Sequence, residues 1–303
     1  MNWKYKALLQ MIFSNVPLGE RLNYFFQRHV TKSLPTTDSK FTDIVSIAKE
    51  HIDIVERYYH RPLGSATFYE FGSGWDLIIP LAFYTFGVQC QILVDIRNLL
   101  RPELVNDSIE KYQRIRLNPV LRRKPDRYID AQQPDLVPLL KKYYGIDYRA
   151  PCDARHTEIA SCSIDCITST STLEHIPPQD IQKILEECYR ILRDDGIMSF
   201  QIDYQDHYSY FDRDLSVYNF LQYSDKAWMW FSPSLGYQNR LRHRDYIDLF
   251  QKVGFEVIAE CRKDGTETDL KTISRLSLDG KYSAYSLPEL AVRGALVALR
   301  KRV

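Results

Sequence analysis

The chain has 303 residues, 45% hydrophobic and 26% charged. That composition suits a globular protein with a sizeable core and excludes disordered, collagenous and disulfide-scaffold chains. Forty Lys/Arg against 39 Asp/Glu leave a formal charge of +1, so no global field draws the protein to nucleic acid. Six cysteines form no C-x-x-C pair; they read as reduced thiols, most of them in the core, of a cytoplasmic protein. No apolar run approaches the roughly 18–20 residues of a membrane span. The basic and then apolar start, Met1 to Phe13, contains Gln10 and lacks a small-residue cleavage site, which predicts a helix rather than a leader.

Residues 1–65 predict a helical cap with breaks at Pro17-Leu-Gly19 and Leu34 to Asp38. Ile44, Ala48, Ile52, Val55 and Tyr58 follow a helical stripe. At Thr67 the period changes. Thr67–Phe71 reads as a strand, Gly72-Ser-Gly74 as a turn, Trp75–Phe86 as a helix and Val88–Asp95 as a second strand. Further strands are expected at 147–150, 163–168, 197–202, 255–259 and 291–299. Helices are expected at Gln179–Leu192, ended by Asp194-Asp-Gly196, and at Arg244–Val253, with a Pro-broken insertion at 118–138. Alternating strands and helices of this length predict a doubly wound sheet, which binds ligands beyond the carboxyl ends of its strands.

Three such ends carry glycine or acid: Glu70-Phe-Gly72-Ser-Gly74, Asp95, and Cys152-Asp-Ala154. The glycines let backbone approach a ligand, and an acid twenty-one positions after Gly74 is spaced to reach ribose hydroxyls. A nicotinamide site wants a third glycine where Leu77 stands, and an acid at Glu70 suits a cationic ligand better than a pyrophosphate.

These residues, with Ser163-Ile-Asp165 and Ser171-Thr-Leu-Glu-His175-Ile, resemble class I S-adenosylmethionine-dependent methyltransferases over about residues 66–300, with the texture of the bacterial branch that acts on small molecules and glycans. The resemblance implies a Rossmann-like, doubly wound, seven-stranded α/β sheet whose last strand is antiparallel. A helical cap (1–65) would precede a methyltransferase domain (66–303), and an aromatic lid would be inserted at about 204–240. It implies S-adenosylmethionine as cofactor, with Glu70 toward its amino end, Gly72 and Gly74 beneath its methionine portion, Asp95 on the ribose and Asp153 on the adenine. Ala154 and Thr170 complete the expected cofactor set. The family often has a third glycine where this chain has Asp76.

The expected reaction is methyl transfer to an oxygen of a small polar metabolite or glycan. The alternatives are a non-catalytic S-adenosylmethionine-binding protein or partner subunit and, third, a nicotinamide-dependent oxidoreductase. His207 is the first candidate for general base, because imidazole titrates near neutrality and residue 207 follows the fifth strand. The competing reading is a solvated loop histidine. Asp206 would act as base or orienter, and His175 is the second choice. No third metal donor is evident beside His207 and Asp206, so no metal is expected. Tyr204, Tyr208, Tyr210, Asn239, Arg240 and Arg242 are expected to hold the acceptor, against competing readings as lid core and surface ion pairs. Residues 97–127 carry nine Lys/Arg against four acids, read as a solvated face without the interleaved aromatics of an RNA site. A weak membrane-surface contact through Trp3, Ile12 and Phe13 is the remaining partner expectation.

Overall fold

A computed structural model describes residues 3–16, 18–115, 121–130 and 136–302. Seven strands form one sheet: β1 Thr67–Phe71, β2 Cys90–Val94, β3 Ile146–Arg149, β4 Ile164–Thr170, β5 Leu192–Asp203, β6 Phe255–Lys263 and β7 Gly294–Lys301. Their order is β3-β2-β1-β4-β5-β7-β6, parallel except for β7, which runs antiparallel to both β5 and β6. The helices are α1 Trp3–Ser14, α2 Gly19–His29, α3 Asp38–Tyr58, α4 Ile78–Thr85, α5 Pro102–Arg114, α6 Val137–Tyr144, α7 Pro178–Ile191, α8 Asp225–Trp228, α9 His243–Val253, α10 Glu267–Ser274 and α11 Leu287–Ala291. The 118–138 insertion falls partly outside the described residues.

Alternation along the strands divides the core. Phe68, Leu93, Cys166 and Ile197 pack with α3 to α6 on one face. Tyr69, Phe71, Ile167, Met198 and Phe200 pack with α7 and α9 on the other. The stripe from Phe41 to Val55 on α3 lies within the first of these cores. Among the described residues α3 thus shares one core with α4 to α6 against this face of the sheet. A third cluster joins Trp3 and Ala7 of α1 to Tyr208, Tyr218, Phe220, Trp228 and Tyr282. Much of the predicted lid is thus a small core of its own.

Two expectations fail for local reasons. Asp194-Asp-Gly196 does not follow α7 as a turn; α7 ends at Ile191 and these residues belong to β5. There the register slips, with Ile164 and Cys166 opposite Leu192 and Ile197. Of the cysteines, Cys166 and Cys188 are buried, whereas Cys90 at the start of β2, Cys162 in the turn before β4 and Cys261 on the edge strand β6 are exposed. The basic run also does structural work. Arg123 donates to the carbonyls of Tyr84 and Val88, Lys124 donates to those of Gln113 and Ile115, and Arg122 pairs with Glu56 at 2.8 Å.

One polar row crosses the α3 face. Register aligns Glu70 with Thr168 and Thr168 with Ser199. His51 descends from α3 onto this row, with Nδ1 2.7 Å from Ser199 Oγ and Nε2 3.2 Å from Thr170 Oγ1. Burial pushes His51 down to about 3, so it stays neutral and one ring nitrogen donates.

Arg242 ties the segment after the lid to the sheet. Its side chain is fully buried and donates to the carbonyls of Tyr204, Leu290 and Val292 at 2.6, 2.8 and 2.6 Å. Removing the guanidinium strands three buried acceptors, each costing about 1–3 kcal/mol. Arg242→Met is therefore expected to lower unfolding stability by about 3 kcal/mol or more, read as a shift in the urea midpoint. An unchanged midpoint would contradict this role.

Candidate functional site

The turn after β1 is built on two left-handed glycines, Gly72 at φ +78° and Gly74 at φ +73°. A Cβ on Gly72 would stand 2.3 Å from Thr172 Cγ2, whereas a Cβ on Gly74 would meet nothing within 4 Å and would enter open space. The helix expected from Trp75 begins at Ile78, because Leu77 takes a left-handed conformation and serves as its N-cap. Asp76 explains the missing glycine: Oδ1 accepts from Ile78 N at 3.4 Å and Oδ2 from Thr36 Oγ1 at 3.0 Å. A side chain here caps α4 and pins the segment before α3.

Gly72 and Gly74 open onto a cleft of about 430 Å³, together with Asp95, Asp153, Ala154, Thr172 and His175. The strand ends supply one wall, and Ser234, Leu235 and Tyr237 of the inserted segment supply the other. Asp95 is buried; Oδ1 accepts from Arg97 N at 3.2 Å, and burial raises its carboxyl against that bond. Arg155 bridges Asp153 (2.6 Å) and Asp180 (2.7 Å), and its hydrogen bonds hold Asp153 below the usual carboxylate range. Thr170 does not line the cleft: its hydroxyl faces His51, and Ser171 and Thr172 line the cleft instead. Leu99, Ile176 and Ile184 add apolar wall for a flat ring. Glu70 lies behind Gly72, buried, with Oε2 lacking any partner. A buried carboxyl with one orphaned oxygen, an open glycine and a cleft-lining acid just after β2 fit a ligand that carries a cation and a ribose diol.

A second group stands at the ends of β4 and β5. His207 Nε2 lies 3.3 Å from Asp203 Oδ2, and the His207 and His175 rings are 4.9 Å apart. His175 Nδ1 is 2.8 Å from the carbonyl of Tyr237, and its ring is exposed at the cleft. Burial opposes ionisation of Asp203, but His207, Tyr210 and Gln205 outweigh it and hold the carboxyl below its ordinary value. Asp206 belongs elsewhere. It is fully buried, caps the turn that starts at His207 by accepting from Tyr208 N at 2.9 Å, and accepts from Asn219 at 2.9 Å. Adjacent loop side chains diverge here, so Asp203 takes the place expected of Asp206. Glu174 and Asp203 are the neighbours that motif reading missed, and Tyr210, expected to hold the acceptor, stands here as well. Glu174 is buried, which raises its carboxyl well above the ordinary range, and among the described residues no well-formed hydrogen bond reaches either oxygen. It offers the third donor that spacing alone did not reveal, within 4.8 Å of donor atoms of His175 and His207.

The expected acceptor residues scatter. Tyr210 alone sits beside this group, its ring stacked 5.3 Å from His207 and its hydroxyl donating to Asp203. Tyr204 is buried against Tyr246 and His243. Tyr208 donates to the Phe231 carbonyl at 2.5 Å. Asn239 donates to the carbonyls of Leu173 and Ile176 at 2.8 and 2.9 Å, Arg240 pairs with Asp225 and donates to Phe220 O, and Arg242 is the buried brace described above. Long polar side chains at these positions satisfy backbone carbonyls left without ladder partners by an irregular segment. They hold the lid and do not face the cleft.

Burial alone pushes Glu70 up to about 8 from its ordinary 4.5. Between those values the folded chain holds a proton that the unfolded chain has lost, so this residue makes stability fall as pH rises through that window. Glu70→Gln is expected to flatten that slope and to melt higher than the wild type at pH 8. Parallel melting curves across pH 5–8 for the two proteins would contradict a neutral, unpaired Glu70.

No curated protein matches the sequence. Solved structures similar to the chain include the YcgJ protein from Bacillus subtilis, at 15% identity over 86% of this chain and 99% of that one, with a TM-score of 0.46. The 1,6-didemethyltoxoflavin-N1-methyltransferase of Burkholderia thailandensis shares 12% identity over 94% and 88%, with a TM-score of 0.48. The geranyl diphosphate C-methyltransferase of Streptomyces coelicolor shares 11% over 89% and 86%, also at 0.48. These are distant likenesses. A family model described as a methyltransferase domain matches residues 49–260, more than half of the chain, including the turn after β1, Asp95, Asp153 and the His175–His207 group. The chain therefore belongs to the methyltransferase-domain family and takes S-adenosylmethionine as its cofactor.

Proposed function

We propose that this methyltransferase acts on a hydroxyl oxygen of a small polar metabolite or glycan, with His207 as the general base. The observation that carries this reading is the Asp203–His207 contact at 3.3 Å, beside a histidine that lines the cleft. When bound, S-adenosylmethionine supplies a methyl group already activated by its sulfonium. The chain must then position an acceptor and remove its proton. His207 Nε2 faces Asp203, which leaves Nδ1 to take the hydroxyl proton. Asp203, held ionised, stabilises the imidazolium that results, and Tyr210 fixes the carboxylate. His175 is anchored to the lid through Tyr237, and its ring, 4.9 Å from that of His207, positions the base.

A cavity of about 300 Å³ supports a polar acceptor. It is bounded by Trp75, next to the cofactor turn, and by Phe211, four residues after His207, with Gln10, Asn23 and Gln27 among its walls. Amides and aromatic rings together suit a sugar or a substituted ring.

Screening sugars, nucleotide sugars and phenols for release of S-adenosylhomocysteine would supply the acceptor. With it, His207→Ala is expected to lower turnover by about 10²–10⁴-fold while leaving cofactor affinity intact. Asp203→Asn should also lower turnover, whereas Asp206→Asn should lower the melting temperature first. Full activity in His207→Ala would remove the base assignment, and an amine as the accepted group would remove the hydroxyl.

A further inference from the structure

We propose that the α1–α2 hairpin seats this enzyme peripherally on an anionic lipid bilayer. Among the described residues, eight of the fourteen exposed large hydrophobic side chains fall between Tyr5 and Val30. On α1, Tyr5 (66% exposed), Leu8 (53%) and Ile12 fall at helical spacing on one stripe. The opposite side of that helix carries Lys6, Gln10 and Phe13 into the cavity beside Trp75, and Trp3 into the lid core against Phe231 at 4.8 Å. Of the three side chains expected from the sequence to touch a membrane, Trp3 and Phe13 therefore face inward and Ile12 faces out. On α2, Leu18 at its N-cap (63%), Leu22 and Phe25 (59%) form a second stripe, while Asn23, Phe26 and Gln27 line the cavity. Both helices thus spend one side on the fold and leave an apolar side to solvent, which a monomer rarely does without a binding partner.

Charge selects the occupant. Residues 3–32 carry five Lys/Arg against one acid, in a chain whose net charge is only +1, and with Lys6 turned into the cavity four of the five stand outside it. The acid, Glu20, is paired with Arg97, and Arg28 is near Glu103. Arg21 and Lys32 are exposed and make no ion pair among the described residues. A second copy placed symmetrically on this face would bring like charges together, whereas anionic headgroups neutralise them as the apolar side chains enter the interface. At 12 and 11 residues, α1 and α2 lie on a bilayer rather than cross it. The same two helices wall the cavity beside Trp75, so docking sets that cavity at the lipid surface.

Vesicle sedimentation of the full chain tests this. Binding is expected to vesicles of equal phosphatidylcholine and phosphatidylglycerol, and not to phosphatidylcholine alone. Leu8→Glu with Phe25→Glu should weaken binding by about tenfold or more, through lost apolar insertion. Arg21→Gln and Lys32→Gln should each weaken it by about fivefold. All four side chains are exposed, so melting temperatures should stay at the wild-type value and show that lost binding is not lost folding. Three results would overturn the proposal: no binding of the wild type to the mixed vesicles, undiminished binding of the double Glu variant, or a dimer in sedimentation velocity that Leu8→Glu dissociates.

Discussion

The parallel pairing of β1 with β4 opens the site on which everything else depends. The chain leaves β1 toward α4 on one face of the sheet and leaves β4 toward α7 on the other. Connections that depart in opposite directions part the carboxyl ends, and the crevice between them is where an open α/β sheet holds a ligand. The two glycines allow the first connection to turn away within three residues. Thr172, pressed against Gly72, fixes the second connection against the first. Asp95 from β2 and Asp153 after β3 then reach the same cleft from strands farther along the sheet.

That geometry places an acid where water does not reach. Glu70 sits in a row with Thr168 and Ser199, beneath a neutral histidine, and no hydrogen-bond partner meets its Oε2 among the described residues. A carboxyl in such a place is costly when ionised and mild when protonated. A cationic ligand reverses that balance. The second group answers a different need. Asp203 is drawn toward ionisation by its neighbours, and the histidine beside it gains a partner for positive charge. The two carboxyls are pushed in opposite directions by their surroundings, as the proposed division between binding and proton transfer requires.

The strands were legible because β-branched and aromatic runs end at glycine or acid. Thr67–Phe71 is found as read, and the other strand centres shift by a residue or two. The cleft acids were legible for the same reason: a strand end is a position along the chain. The surroundings of His207 were not. Whether Asp203 or Asp206 faces it depends on side-chain direction in an irregular segment, and the short turn that Asp206 caps decides this. Arg240 and Arg242 looked like ligand-grasping cations because nothing local shows that the segment after the lid leaves carbonyls of residues 204, 220 and 292 to be satisfied. Glu174 passed unnoticed because its burial is wholly tertiary.

Cofactor binding in the cleft between Gly74 and Asp153, with Asp95 on the ribose, is the reading on which the proposed chemistry rests. Calorimetric titration with S-adenosylhomocysteine tests it most directly, using the wild type beside Asp95→Ala and Gly74→Val. Saturable one-to-one binding by the wild type is expected. Strong loss is expected in Asp95→Ala, and loss in Gly74→Val because its side chain would stand in the cleft. Unchanged affinity in both variants, or binding of NADH with no response to S-adenosylhomocysteine, would contradict that reading.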